Sequence, residues 1–133
     1  MAGKERYEEV NPPWLLTRIL GVEQEERYSV RQNVWPEDPP IYFARSATRH
    51  RISRERSRHV IEQCGIQFVE RRGSENWESG PDKRVFFFGD ELEGVALEVV
   101  AAENLEEEFT VIHAMNLRDK FLGLYEEAKE WRK

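Results

Sequence analysis

Six arginines lie within a segment of seventeen residues, 44–60, and form the most unusual chemical feature of the chain. Glu55 is the only acid in this segment, which therefore carries a net charge of +5. Each guanidinium can hold a phosphate through two parallel hydrogen bonds, which would give affinity for a polyanion of any sequence. The same side chains could instead pair with the protein's own acids or receive an acidic partner protein. The six are Arg45, Arg49, Arg51, Arg54, Arg56 and Arg58.

Two further residues could do chemistry from the ends of strands. His113 lies near the end of the last predicted strand, where an imidazole that faces a cleft could act as a general acid or base. Arg84 opens an otherwise apolar strand and could stabilise charge that develops in a transition state. The plainer interpretations are a structural histidine in an apolar strand and an arginine whose head group reaches solvent.

The formal net charge of −6 argues against a nucleic-acid partner until it is resolved along the chain. Residues 90–108 hold eight acids and no base, whereas the arginine-rich segment is strongly positive. The distribution of charge, more than its sum, decides which surfaces attract a polyanion. The composition therefore leaves nucleic-acid binding open.

Residue counts exclude several classes of site and protein. Cys64 is the only cysteine, which rules out an internal disulfide and a multi-thiolate metal site. The three histidines have no metal-ligand spacing, so we expect neither a metal nor a cofactor. The apolar runs fall far short of the roughly 18–20 residues that span a membrane, and the N-terminus has no apolar signal-peptide core. We therefore expect a soluble cytoplasmic protein.

Periodicity predicts an α+β fold with two N-terminal helices, a four-stranded antiparallel sheet and a C-terminal helix. The first helix is expected within 42–51 and the second across 54–64, with Ser53 as N-cap and Gly65 as a left-handed C-terminal residue. The last helix is expected over 116–131, where apolar residues repeat at helical spacing. The four predicted strands are Ile66–Arg71, Arg84–Phe88, Val95–Ala102 and Phe109–Ala114.

Prolines divide the chain into an arm and a domain. Five of the six lie in the first forty residues, so we predict a proline-containing arm over 1–40 and an α+β domain over 41–133. The arm would carry one short helix that includes Trp14 and Ile19. The middle strands of the domain are apolar on both faces, whereas a sheet with one wet face would alternate. We expect the arm, or a partner protomer in a homodimer, to cover the second face.

Three local motifs, taken in order, carry a family resemblance. A Lys-His-Gly-hydrophobic-Ser link between two helices is matched by Arg49-His50-Arg51-Ile52-Ser53. An acidic-Arg-hydrophobic strand that ends in Gly is matched by Lys83-Arg84-Val85-Phe86-Phe87-Phe88-Gly89. An Ile-Ser-Ala-Arg segment and a downstream Tyr-Glu-Glu helix are matched by Ile112-His113-Ala114-Met115 and Tyr125-Glu126-Glu127. Over roughly residues 42–130 the chain thus resembles the BrnT-like toxins, members of the RelE/ParE-like superfamily of bacterial type II toxin–antitoxin systems.

The resemblance implies a RelE-like, metal-independent endoribonuclease that is neutralised by a DNA-binding antitoxin. In such an enzyme a 2′-hydroxyl attacks the adjacent phosphate, which requires positive charge around the phosphorane and a group that moves protons. Arg49 and Arg84 would stabilise the charge, and His113 or His50 would carry the proton. Tyr125 also falls on a matching position. The RNA backbone would be bound by Arg45, Arg51, Arg54 and Arg58.

The chain departs from the family in the third motif, where Met115 replaces an Arg and His113 replaces a Ser. Losing a group aimed at transition-state charge typically costs a factor of ~10²–10³. A non-catalytic interaction module that binds protein or nucleic acid is therefore the alternative function. A third hypothesis is a homodimer in which the arms cover each other's sheets.

Overall fold

The computed structural model describes residues 7–9, 28–33, 40–70 and 83–132. These residues form one seven-stranded sheet with an α-helix packed on each face. Helix α1 spans Arg54–Gln63 and helix α2 spans Leu122–Glu130, and 3-10 turns cover Arg45–Thr48 and Asp119–Phe121. The strands are β1 (Tyr7–Glu9), β2 (Tyr28–Asn33), β3 (Ile41–Phe43), β4 (Ile66–Glu70), β5 (Lys83–Asp90), β6 (Ala96–Glu103) and β7 (Phe109–Asn116).

The strand order in the sheet is β1-β2-β4-β5-β6-β7-β3. Neighbouring strands are antiparallel except at one edge, where β3 runs parallel to β7. The register between β6 and β7 shifts once, because Val100 pairs with His113 while Ala101 pairs with Val111. The extra residue, Ile112, forms a bulge in β7 beside His113.

The apolar run of β5 explains why both faces of the sheet carry a core. Successive side chains of a strand point to opposite faces, so Phe87 packs on the α1 side and Phe86 and Phe88 pack on the α2 side. All three rings are buried. Val60 of α1 belongs to the first cluster and Leu124 of α2 to the second, so each helix covers one face.

The predicted fold, with two N-terminal helices and a four-stranded sheet, is wrong. The helix expected within 42–51 is instead strand β3 followed by a 3-10 turn. Strand β3 forms because the edge of β7 satisfies its backbone: the Ala44 N–H donates to the Val111 carbonyl over 2.9 Å, and Phe109 N–H donates to the Pro40 carbonyl over 3.1 Å. Strands β1 and β2 extend the sheet at the opposite edge, so it has seven described strands instead of four.

The other predicted elements of the domain lie close to the observed ones. The four predicted strands correspond to β4–β7 with small shifts at their ends. Helix α1 follows Ser53, whose side chain accepts from the Arg56 N–H over 3.2 Å as an N-cap. The helix expected over 116–131 is shorter, because a 3-10 turn precedes α2. No helix within the described ranges is long and apolar enough to cross a membrane.

The second face of the sheet is covered by α2 and the turn before it. Phe121 and Leu124 pack against Phe86 and Phe88 in the same buried cluster. From the predicted arm, β2 contributes Tyr28 and other residues to this cluster as a strand of the sheet. The short helix predicted around Trp14 and Ile19 lies outside the described residues.

Gly65 lies between α1 and β4, where a glycine is needed for a reason that the sequence did not predict. Among the described glycines only Gly94 has a positive φ, so Gly65 is not a left-handed cap. A Cβ atom at Gly65 would lie 1.5 Å from the carbonyl oxygen of Trp131, the residue that follows α2. The missing side chain therefore permits the close approach of the C-terminal ends of the two helices.

Candidate active site

Arg84 and His113 line the same open cleft, which has a volume of about 440 Å³. Arg84 belongs to β5 and pairs with Ala102, while His113 belongs to β7 and pairs with Val100, so both side chains share the α2 face of the sheet. Arg84 and His113 are separated by twenty-eight residues in the sequence, but in the sheet only strand β6 lies between β5 and β7. The cleft is also lined by Tyr28, Glu70, Phe86, Val100, Ile112, Arg118, Lys120 and Phe121.

Cations outnumber acids among the side chains that line this cleft. Among the described lining residues, Arg84, Arg118 and Lys120 are positively charged, and Glu70 is the one carboxylate. Arg84 is exposed and makes no ion pair within the described part of the chain. Its guanidinium is therefore available to an anion in the cleft.

A fully buried carboxylate, Glu98 of β6, holds two of the lining side chains. The Nε2 atom of His113 lies 3.2 Å from Glu98 Oε2, and Arg118 donates from Nη2 to the same oxygen over 2.6 Å. The backbone N–H of Arg118 donates to Glu98 Oε1 over 3.0 Å, and its Nε donates to both oxygens. Glu98 thus orients the imidazole from β7 and anchors the turn that follows this strand.

Burial by itself would raise the pKa of Glu98, but the hydrogen bonds from Arg118 and His113 hold that pKa below its usual value. The carboxyl is therefore an anion near neutral pH and can only accept hydrogen bonds. A neutral His113 must then carry its hydrogen on Nε2, which leaves a lone pair on Nδ1. An imidazole held in this way can take a proton from a substrate.

His50 reaches the same site from the other side of β7. Its ring centroid lies 5.4 Å from that of His113, with the two rings nearly perpendicular. The 3-10 turn that precedes His50 is fixed to β7, because Ser46 Oγ donates to the Ile112 carbonyl over 2.7 Å. The structure therefore places two of the predicted catalytic residues, Arg84 and His113, in one cleft, and it places a third, His50, against the His113 ring.

Five of the six arginines in segment 44–60 form two groups. Arg45, Arg49 and Arg51 are exposed around the 3-10 turn and form no ion pair within the described residues. Arg54 and Arg58 lie on α1, where their guanidinium carbons are 5.6 Å and 5.7 Å from the Phe43 ring centroid. Only the first group adjoins His50 in sequence and, through it, the cleft.

Arg56 and Arg58 both lie near acids of the protein itself, as the plainer interpretation of the arginine segment expects. Arg56 pairs with Glu91, whose side chain is buried, and Arg58 lies 4.0 Å from Glu62 one helical turn away. Burial would raise the pKa of Glu91, but hydrogen bonds from the Val95 N–H and from Arg56 lower it. These two arginines therefore contribute to the protein's own stability.

Tyr125 does not line the cleft. Its hydroxyl donates to Asp90 Oδ1 over 2.6 Å, and Arg132 donates to the other oxygen over 2.9 Å. Asp90 ends β5, whereas Arg84 lies near the start, about 20 Å away along an extended strand. Burial and the Asp90 carboxylate raise the pKa of Tyr125 to about 12, so its proton is held firmly.

Sequence analysis missed Arg118 and Lys120, the two cations of the turn after β7. The signal that could have found them is their position, because residues just beyond the end of a strand lie close to the last side chains of that strand. The cation expected at Met115 is absent, and Met115 pairs directly across the sheet with Glu98. Arg118 thus binds the carboxylate of the residue that faces Met115 across the sheet.

The chain matches no protein-family model, and no curated protein or solved structure matches it. Within the described ranges, no three His, Cys, Asp or Glu side chains are grouped so that they could hold a metal ion. What the cleft can do chemically follows from its own side chains. They supply the Arg84 guanidinium, which has no ion pair within the described ranges, together with an ammonium group and an oriented imidazole around one open space.

Proposed function

We propose that the protein is an endoribonuclease that cleaves RNA through attack of a 2′-hydroxyl on the adjacent phosphate. The observation that carries the proposal is the placement of Arg84, Lys120 and His113 around one cleft, with His113 oriented by the buried Glu98. Phosphate cleavage of this kind needs cations for the developing charge and a base for the hydroxyl proton. The cleft supplies both.

His113 acts as the general base in this mechanism. Its Nδ1 accepts the proton of the 2′-hydroxyl while the 2′-oxygen forms a bond to phosphorus. The bond from phosphorus to the 5′-oxygen then breaks, which yields a 2′,3′-cyclic phosphate on one fragment and a 5′-hydroxyl on the other. His50 in its protonated form is placed to return a proton to the leaving 5′-oxygen.

Arg84 and Lys120 stabilise the negative charge that builds up on the phosphorane. Their charges are free to do so, since Arg84 has no ion pair among the described residues and Lys120 Nζ lies against the Phe121 ring at 5.0 Å. Arg118 is a positioning residue, because its guanidinium is engaged by Glu98. Glu98 in turn fixes the tautomer of His113.

The test is cleavage of an end-labelled RNA by the purified protein. We expect fragments that end in a 2′,3′-cyclic phosphate, and a rate lowered about 10²–10³-fold by Arg84→Ala or His113→Ala. Lys129→Ala, which removes a cation from the exposed side of α2, is the matched control and should cleave like the wild type. Intact RNA after incubation with the wild type, with or without divalent cations, would overturn the proposal.

A non-catalytic RNA-binding module is the second candidate function, and Met115 favours it. At this position the resembling toxins place an arginine, and the pairing of Arg118 with Glu98 leaves little of its charge for a substrate. Binding of RNA without cleavage, equally strong in the wild type and His113→Ala, would assign this function instead.

A toxin role with an antitoxin partner stays a prediction of the resemblance. Expression of the wild type should then arrest growth while Arg84→Ala does not. A small antitoxin-like reading frame beside the gene should relieve the arrest when it is co-expressed.

A further inference from the structure

We propose that the RNA leaves the cleft as a single strand over the β7–β3 edge of the sheet, where one base stacks on Tyr42 and Arg45, Arg49 and Arg51 hold phosphates. This inference rests on the proposed function and specifies the form in which the substrate is bound. We call the surface formed by these four residues and His50 the edge track.

The sheet register places Tyr42 on the same face as the cleft. Tyr42 pairs with Thr110, Thr110 pairs with Ala102, and Ala102 pairs with Arg84, so the four residues form one row across β3, β7, β6 and β5. Paired residues of neighbouring strands share a face. Tyr42 and Arg84 therefore lie at the two ends of one row, with the cleft beside it.

Tyr42 is available to a base because it is the outward residue of an edge strand. Tyr42 is 54% exposed, while Ile41 is buried and Phe43 packs against the core on the α1 side. An exposed aromatic ring can stack on any unpaired base, whereas bases in a duplex already stack on one another. The exposed Tyr42 ring therefore favours single-stranded RNA over a duplex.

His50 connects the cleft to the arginines without a break. It contacts His113 inside the site and lies between Arg49 and Arg51 in the chain. The backbone before it is held to β7 by the bond from Ala44 N–H to the Val111 carbonyl. A strand that passes over this edge meets the three exposed arginines next, and none of them has an ion pair within the described ranges.

Arg51 adopts a backbone conformation that is unfavourable for its side chain. Its φ is +65°, in the left-handed region that glycine occupies at little cost, and the residue is exposed. An exposed guanidinium in this position, next to His50, is placed to bind an anion that passes over the edge of the sheet.

The acidic hairpin between β6 and β7 sets the direction of the track. Residues 104–108 lie at the start of β7 and include Glu106, Glu107 and Glu108, which repel a polyanion. Arg45, Arg49 and Arg51 lie around the 3-10 turn, which is bound to β7 further along that strand, at Ile112. The phosphates are therefore guided towards the 3-10 turn and away from the hairpin, while the base on Tyr42, opposite Thr110, carries no charge that the hairpin would repel.

The test is binding of a fluorescent twelve-nucleotide single-stranded RNA in which every 2′-hydroxyl is methylated, so that it cannot be cleaved by 2′-attack. Tyr42→Ala should weaken binding about 5- to 100-fold, the range expected for the loss of one base stack. Tyr42→Trp should bind at least as tightly as the wild type. Leu92→Ala, which truncates an exposed apolar side chain on the β5–β6 hairpin, is the matched control and should change nothing.

The arginines are tested by the salt dependence of the same binding. Arg51→Gly should weaken binding and lower the slope of log K against log salt by about 0.7, the value for one phosphate of a single strand. A duplex of the same sequence should be insensitive to Tyr42→Ala.

The outcomes separate this inference from the proposed function. Cleavage of ordinary RNA by a protein whose Tyr42→Ala variant binds the methylated strand as tightly as the wild type would overturn the edge track alone. Tyr42-dependent binding without cleavage would support the track and overturn catalysis. A protein that binds neither strand nor duplex would overturn both.

Discussion

At the scale of single residues, the candidate site depends on a charge buried in an apolar strand. Glu98 interrupts the run Ala96-Leu97-Glu98-Val99-Val100, and a carboxylate in that setting must be paired and hydrogen-bonded. Its partners, Arg118 and His113, are both in the cleft. Sequence reasoning found His113 and Arg84 by residue type, but it missed Glu98 because only the strand register shows which side chains meet.

The strain at Arg51 leads to a prediction about stability. Substituting Arg51→Gly relieves a left-handed conformation that costs roughly 1–2 kcal/mol in other residues, offset by the larger backbone entropy that glycine loses on folding. We expect the free energy of unfolding in urea to rise by about 0.5–1 kcal/mol. The same variant should bind RNA more weakly, so stability and binding should change in opposite directions.

Glu107 provides the matched control for this prediction. Its φ is +63°, and it lies on the acidic hairpin instead of the edge track. Glu107→Gly should relieve the same strain without weakening RNA binding. A loss of stability in Arg51→Gly would show that the side chain is needed by the fold, which contradicts the role argued for it.

At the scale of elements, the sequence predicted strands β4–β7 and helix α1 and missed strands β1, β2 and β3. Helix α1 has a helical apolar stripe, and the predicted strands are apolar runs bounded by turn residues, so their conformation can be predicted locally. Strand β3 has three residues and exists only because β7 offers it a parallel partner, which no local pattern reveals. The predicted first helix is wrong for this reason, and the predicted four-stranded sheet is wrong because β1, β2 and β3 extend it at both edges.

Tyr125 should stabilise α2 without taking part in catalysis. It joins this helix to the end of β5 through Asp90, far from Arg84. Tyr125→Phe removes a hydrogen bond to a charged, half-buried acceptor, so we expect the free energy of unfolding to fall by about 1–2 kcal/mol. The rate of RNA cleavage at a temperature where the variant is folded should equal that of the wild type. A lower cleavage rate with an unchanged free energy of unfolding would show instead that Tyr125 takes part in catalysis.

At the scale of the whole molecule, three carboxylates of the β5–β6 region hold the surrounding elements to the sheet. Asp90 binds Tyr125 of α2 and Arg132 just beyond its end, Glu91 binds Arg56 of α1, and Glu98 binds the turn before α2. The acidic stretch that dominates the net charge of −6 is therefore partly structural. These three of its eight negative charges are paired within the fold, while Arg45, Arg49 and Arg51 are exposed at the edge of the sheet beside β7.

These carboxylates determine how the molecule responds to acid. Burial raises the pKa of each, but hydrogen bonds and nearby cations outweigh it, so all three pKa values are lower in the folded state than the ordinary values of 3.8 for Asp90 and 4.5 for Glu91 and Glu98. A lowered folded pKa means that the unfolded chain binds protons first as the pH falls. The stabilisation is thus fully present above about pH 5 and is lost progressively below pH 4.5, towards the lower folded values.

Urea unfolding at pH 7 and at pH 3.5 measures this loss directly. In the wild type the free energy of unfolding should fall clearly between the two values. Glu98→Gln should already be about 2 kcal/mol less stable at pH 7, because Arg118 loses a charged acceptor, and it should lose less on acidification than the wild type. Glu93→Gln, on the exposed β5–β6 turn, should follow the wild type at both values. Equal acid sensitivity in Glu98→Gln and the wild type would show that other groups control the response and that the buried carboxylate is not ionised as its contacts require.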